Sequence, residues 1–271
     1  MKNMIDLGKF NLLGVNVHAV DYEAAVDKIL NAANDRKPLG VSALAVHGVM
    51  TGVMDDEHRH RLNALELIVP DGQPVRWALN LLHKTKLQDR VYGPHLMLET
   101  CRAAAENGVP IFLFGGKQEL LDDLSAKLLD KFPALQIAGM RASMFRTVSP
   151  EEKQEIVDEI NASGAAITCV GLGCPRQEVW AYEFKDALRM PVLAVGAAFN
   201  FHAGQLDQAP PLMQRLGLEW FYRLTKEPKR LWRRYVILNP YYLSLLFGQW
   251  TRLKKFDTEN TKPPKTEILY G

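Results

Sequence analysis

The chain has no Walker P-loop, no G-x-G-x-x-G after its first predicted strand and no D-x-D. The first two absences argue against a P-loop nucleotide hydrolase and a dinucleotide oxidoreductase, whose glycine spacings bring backbone N–H groups onto a pyrophosphate. Without D-x-D, and with no His/Cys/Asp cluster at ligand spacing, no metal site and no cofactor is predicted. Cysteine is scarce: Cys101, Cys169 and Cys174 fit a reducing compartment and no disulfide framework. Cys174 has no histidine near it in sequence, so an ordinary thiol is expected there. No secretory leader is read at the start, where Asp6 and Lys9 interrupt M-K-N-M-I-D-L-G-K-F. Long apolar runs are missing too. The longest, Val236 to Trp250, is about 15 residues and holds Asn239, Pro240 and Gln249, whereas a membrane span needs roughly 20. Such a segment suits an interface or a core.

What is present starts with size and uneven charge. The chain has 271 residues, 47% of them hydrophobic, enough for one large α/β domain and an appendage. Between Pro210 and Lys255 stand ten Lys or Arg against two Glu, a net of +8, which leaves −6 elsewhere in a chain of net charge +2. A basic end on an acidic body suggests electrostatic contact confined to that end, with a membrane surface or a nucleic acid as the usual partner. The core of that region, Arg215 to Tyr235, interleaves Arg and Lys with Trp220, Phe221, Tyr222, Trp232 and Tyr235. Guanidinium forks bind phosphate oxygens, and Trp and Tyr rings settle at headgroup level. The plainer alternative is a solvated basic helix with a few core rings. A nucleic-acid module is disfavoured, because the basic residues lie at one end without a recognised motif.

Periodicity predicts a strand at Asn11–Val17 and a helix at Tyr22–Asn34 with Asp21 as N-cap. A strand at Gly40–Val46 follows, then helices through Met54 and over Glu57–Asn63. Leu65–Val69 reads as a strand ending in the turn Pro70-Asp71-Gly72, with helices at Pro74–Leu82 and Pro94–Asn107. Alternation then becomes regular. Strands are expected at Val109–Phe114, Leu135–Gly139, Ala165–Val170 and Val192–Val195. Helices are expected at Gln118–Phe132, at Pro150–Ser163 behind Ser149, and up to Leu188. Continuous apolar strands alternating with amphipathic helices imply a Rossmann-like α/β fold, a mostly parallel sheet with helices on both faces. The expected division is a catalytic body at 1–209, a basic membrane-associating helical appendage at 210–250 and a flexible polar tail at 251–271.

Ligands of such sheets sit beyond the carboxyl ends of the strands. Two loops there suit a phosphorylated ligand. Gly115-Gly116 admits close backbone approach, and Gly171, Gly173 and Pro175 lead into a helix N-terminus. Arg176 and Gln177 add a cation and an amide, although Arg176 and Glu178 could equally be solvated first-turn residues. Asp71, at the end of a predicted strand, is a candidate general base or a helix N-cap. His47 would face the same cleft, unless it is structural. Asp55, Asp56 and Glu57 read as a solvated helix start, and His58 and His60 as surface residues.

With these residues in place the chain resembles the WecG/TagA/CpsF family of bacterial glycosyltransferases (glycosyltransferase family 26) over roughly Leu12 to Val236. The resemblance rests on P-D-G at Pro70–Gly72, V-Y-G-P-H-L at Val91–Leu96 and F-L-F-G-G at Phe112–Gly116. G-L-G-C-P-R-Q-E at Gly171–Glu178 and G-L-E-W-F-Y-R-L at Gly217–Leu224 complete it. It implies inverting, metal-independent transfer from a UDP-sugar to a polyprenyl-diphosphate-linked sugar, by a peripheral protein on the cytoplasmic face of the inner membrane. A homo-oligomer is compatible with it. Carried over by position, Asp71 matches the proposed base and Gln177 a residue of the nucleotide-sugar pocket. Arg215, Arg223, Arg230, Arg233 and Arg234 resemble the group proposed to hold the lipid diphosphate. The chain departs from the family in two places. Ala43-Leu44-Ala45 replaces T-x-N, and Asn200, in F-N-F, replaces an aspartate near the base. Lost polar partners change which sugar substituent is read, which favours glucose and the exopolysaccharide branch of xanthan or acetan type. The alternatives are an N-acetylmannosamine or N-acetylmannosaminuronic acid donor for teichoic acid or common-antigen linkage, and a non-catalytic nucleotide-binding membrane adaptor.

Overall fold

The computed structural model describes residues 4–259 and 261–271, with the side chains of residues 211, 230, 233 and 234 outside that description. The chain opens with an antiparallel hairpin of β1 (Asp6–Leu12) and β2 (Val15–Val20), where sequence reading expected a single strand. The apolar run Leu12 to Val17 hides a two-residue turn at Leu13-Gly14. Both residues have positive φ, +56° and +89°, as a tight hairpin turn demands, but leucine is not a residue that announces one.

Six parallel strands follow: β3 (Leu39–Leu44), β4 (Leu67–Pro70), β5 (Ile111–Phe114), β6 (Ile137–Arg141), β7 (Ile167–Val170) and β8 (Pro191–Ala194). They form one sheet in the order β4-β3-β8-β7-β5-β6. The body helices are α1 (Tyr22–Asn34), α2 (Val46–Met54), α3 (Asp56–Asn63), α4 (Gln73–His83) and α5 (Gly93–Asn107). They continue with α6 (Gln118–Lys131), α7 (Pro150–Ala162), α8 (Arg176–Leu188) and α9 (Ala198–His202). The expected caps hold α1 and α7. Asp21 accepts from Ala24 N at 2.9 Å, and Ser149 and Glu152 close a reciprocal capping box.

Because strand side chains alternate in direction, the sheet divides the apolar residues into two cores. Val41, Leu67, Val69, Leu113 and Leu193 face α1, α5, α6 and α9. Leu44, Ile68, Phe114, Val170 and Ala194 face α2, α4, α7, α8 and the hairpin. Full burial of each such aliphatic side chain contributes roughly 1.5–3 kcal/mol relative to exposure. The result is the Rossmann-like α/β architecture expected from the sequence.

A helical appendage follows: α10 (Pro211–Arg215), α11 (Glu219–Lys226), α12 (Pro228–Arg233), a π-helical turn (Arg234–Leu238) and α13 (Asn239–Trp250). The last helix docks on the body. Tyr242 and Leu245 enter the core below α4, the Tyr242 hydroxyl donates to Pro74 O at 3.2 Å, and Gln249 clasps the hairpin turn through Leu13 N and Asn11 O. By contrast, α11 buries none of its residues. Among the described residues no helix is long and apolar enough to cross a membrane. The described residues of the stretch 251–271, expected as a flexible tail, are bonded to the body at several points. Asn11 donates to Phe256 O at 2.7 Å, Asn63 to Thr258 O at 3.1 Å and Arg61 to Thr266 O at 3.1 Å, before Tyr270 pairs with Thr147.

Candidate active site

All the strand-end loops singled out in the sequence open on one edge of the sheet, because all six strands run the same way. Asp71 follows β4 directly. Its backbone N–H donates to Leu44 O at the end of β3, and its Oδ1 accepts from Gly93 N, the first N–H of α5, at 2.8 Å. It does not cap α4, whose N-cap is Gly72. The carboxylate is therefore aimed at the mouth of the α5 dipole and away from the nearer helix. Burial pushes the Asp71 carboxyl up to about 6; the Arg90 guanidinium, the Gly93 N–H and Arg223 oppose that rise, while Glu219 reinforces it.

Arg90 links this carboxylate to the appendage. It forms an ion pair with Glu219 in the first turn of α11, and its guanidinium lies 4.4 Å from the Tyr92 ring centroid. Arg223, one turn further along α11, is close enough to Asp71 to oppose the rise in its pKa. The Tyr22 hydroxyl accepts from the Tyr92 backbone N–H at 2.8 Å, fixing the loop before α5. A cleft of about 330 Å³ opens beside these residues, lined by Tyr22, Gln73, Arg90, Tyr92, Gln214 and Arg215 among others. A larger hollow, about 430 Å³, lies at the other end of the strands between α7 and α8, lined by Arg36, Asn161 and Arg189. It touches none of the loops at the carboxyl ends, where an open parallel sheet takes its ligands.

The remaining candidates fall along the same edge. His47 is the second residue of α2, half-buried above β3. Gly115 and Gly116 turn out of β5 with φ +110° and +75°. A Cβ on Gly115 would lie 3.0 Å from the Gly171 carbonyl carbon, so glycine is what lets these two loops meet. Gly173 follows Gly171 in the loop that enters α8. Arg176 is exposed at the start of α8, whereas Gln177 is buried. The Gln177 carboxamide oxygen accepts from Gly173 N at 3.1 Å, and its NH2 donates to Glu178 at 2.9 Å. Asn200 lies half-buried on α9, its carbonyl accepting from Gln205 N and Leu206 N. Of the five arginines expected around a lipid diphosphate, Arg215 lines the cleft and Arg223 stands near Asp71. The side chains of Arg230, Arg233 and Arg234 lie outside the described residues.

Two readings need correction. Glu178 is no solvated first-turn residue. It is fully buried, accepts from Ser42 Oγ at 3.0 Å and from Gln177, and burial raises its pKa. Nothing at the start of a helix signals this, since the burial comes from β3 packing underneath. His58, expected on the surface, is buried as well, and burial lowers its pKa to about 4; Asp55 caps its helix, accepting from His58 N at 3.0 Å. Sequence reasoning passed over Arg90, Tyr92 and Glu219 as site residues. Arg90 stands alone in an aperiodic stretch, and its adjacency to V-Y-G-P-H-L was the one available signal.

Ala43 and Ala45 also stand at the reaction edge. A Cβ on Gly93 would meet the Ala43 Cβ at 3.0 Å and Asp71 Oδ1 at 3.8 Å, and one on Gly72 would meet the Ala45 Cβ at 3.6 Å. The Ala43 methyl thus lies beside Gly93, whose N–H Asp71 binds, and the Ala45 methyl beside Gly72. Among the described residues no group of three or more His, Cys, Asp and Glu is placed to hold a metal ion. Among the described residues the edge offers the Asp71 and Glu178 carboxyls, both with raised pKa, two glycine-lined turns, a helix N-terminus and Arg215 and Arg223 from the appendage. The model of the Glycosyl transferase WecG/TagA/CpsF family matches residues 10–256, and the chain belongs to that family of glycosyltransferases.

Proposed function

We propose that the protein is an inverting, metal-independent glycosyltransferase that moves a hexose, glucose in the first instance, from a UDP-sugar to a polyprenyl-diphosphate-linked saccharide during exopolysaccharide assembly. The observation that supports the reading is the Asp71 carboxylate at a strand end, bonded to Gly93 N at the start of α5, with Arg90, Glu219 and Arg223 as its charged neighbours. In this reading Asp71 takes the proton from the acceptor hydroxyl as that oxygen attacks the anomeric carbon. The bond from that carbon to the diphosphate breaks on the opposite face, and UDP departs with the electron pair. Arg side chains and backbone N–H groups stabilise its charge, the work a metal ion performs elsewhere. The turn at Gly115-Gly116, the loop from Gly171 to Gln177, His47 and Asn200 form the donor side. Arg215, Arg223, Arg230, Arg233 and Arg234 form the acceptor side at the cytoplasmic face of the inner membrane.

A base with a carboxyl near 6 is ionised at neutral pH yet basic enough to accept a proton in the transition state. The methyl groups of Ala43 and Ala45 at this edge favour a donor without an amide substituent to be read there. Incubation with UDP-glucose, UDP-N-acetylmannosamine and its uronate, each with a synthetic lipid-diphosphate acceptor and mass detection of the lipid product, tests the reading. Glucosyl transfer supports it. Transfer of an N-acetylated sugar moves the assignment to teichoic acid or common-antigen linkage. UDP and liposome binding without any product makes the protein an adaptor.

A further inference from the structure

The segment after Phe256 lies beyond the residues that match the family, yet its described residues are bonded to the body at Thr258, Thr266 and Glu267 and again at its last three residues. It passes α3 through Asn63 and Arg61, and meets α7 where Lys153 pairs with Glu267 at 3.5 Å. It finishes inside the donor edge. Leu269 is buried and its carbonyl accepts from Val148 N at 2.8 Å. The Gly271 carbonyl accepts from Met144 N at 2.9 Å and from Ser143 Oγ at 2.5 Å. Ser143 in turn gives its backbone N–H to Gly116 O at 2.9 Å. One residue therefore separates this strap from the glycine turn after β5. Between the two anchors the Tyr270 ring lies against Arg176, with the guanidinium carbon 5.6 Å from the ring centroid.

An exposed arginine at a helix start samples many rotamers, and each one frozen on ligand binding costs entropy. A ring face beneath the guanidinium narrows that set and leaves the N–H edges free for an anion. We infer that Tyr270 is a positioning residue of the donor site, holding the Arg176 guanidinium toward the diphosphate of the nucleotide sugar. The inference rests on the donor-side reading of Arg176 given above. It gives this C-terminal segment a contact with the donor edge through Arg176 and Ser143.

Calorimetric titration of the full chain with UDP and with uridine tests this, on wild type, Tyr270→Ala, Tyr270→Leu, Tyr270→Phe, Arg176→Ala and the Tyr270→Ala/Arg176→Ala pair. Exposed cation–π contacts correspond to about two- to fivefold in affinity. Tyr270→Ala and Tyr270→Leu are expected to weaken UDP by that factor and leave uridine unchanged, with Tyr270→Phe retaining wild-type binding. In the Arg176→Ala background the tyrosine substitution should add nothing. Wild-type UDP affinity in Tyr270→Ala, with Arg176→Ala weakened, overturns the strap inference and leaves the donor reading standing. Unchanged UDP affinity in Arg176→Ala overturns both. Equal weakening of UDP and uridine together with a lowered melting temperature assigns Tyr270 a purely structural role and overturns the inference.

Discussion

The sheet body and the appendage are built on opposite terms. In the body, most apolar residues are buried in one of two cores, and the strands β4, β5, β7 and β8 are buried throughout. In the appendage Trp220, Phe221, Trp232 and Ile237 stay 37, 49, 45 and 56% exposed, and α11 buries nothing. The first region gains its stability from its own packing. The second is tied down at few places, the Arg90–Glu219 ion pair and the docked ends of α12 and α13, and presents rings and cations outward. A surface of that kind is matched to a medium apolar below and anionic above, which is why the two halves of the cleft should respond differently to substitution.

The sharpest break lies at the body's contribution. Asp71→Asn is expected to lower turnover by about a hundredfold or more, the scale of general-base loss, with UDP affinity retained in calorimetry. Next comes the appendage. Replacing Trp220, Phe221 and Trp232 together with Ser should weaken sedimentation with phosphatidylglycerol vesicles by at least about tenfold, because each buried ring carries roughly 1.5–3 kcal/mol. Turnover on a short-chain, water-soluble acceptor should survive, and the melting temperature should not move. If the protein unfolds instead, the appendage belongs to the core and the comparison fails.

The link between the regions is tested by pH. If Asp71 is the base, its ionised form is the active one, and the rate should fall as pH drops through about 6. Arg90 holds that pKa down and Glu219 pushes it up. The acid limb should therefore move to higher pH in Arg90→Gln and to lower pH in Glu219→Gln. Shifts in the same direction, read from kcat profiles, would show that the ion pair acts on structure alone. The smallest effect belongs to the interior. Ser42→Ala removes the hydroxyl from Glu178 and should cost about 1 kcal/mol of unfolding free energy in urea titration.

The same contrast governs what could be read from the sequence. Body elements announced themselves through apolar runs of strand length and local caps such as Asp21 and Ser149, whose partners lie three residues away. Asp71 was legible because a strand end and a turn signature coincide there. Residues defined by distant partners were not. Glu178 owes its burial to Ser42, 136 positions earlier, and Arg90 owes its place to Glu219, 129 positions later. The hairpin was concealed because Leu13 occupies a left-handed position that propensity assigns to Gly or Asn. Basic and aromatic residues of the appendage were plain in composition, but their register against Asp71 depends on how α11 is latched.

The most direct measurement is the pH dependence of single-turnover sugar transfer in wild type and in Asp71→Asn. If the Asp71 carboxylate takes the acceptor proton, the wild-type rate falls below about pH 6, while the residual rate of the variant stays flat from acid to neutral pH. An acid limb at the same pH in both proteins would place the base elsewhere.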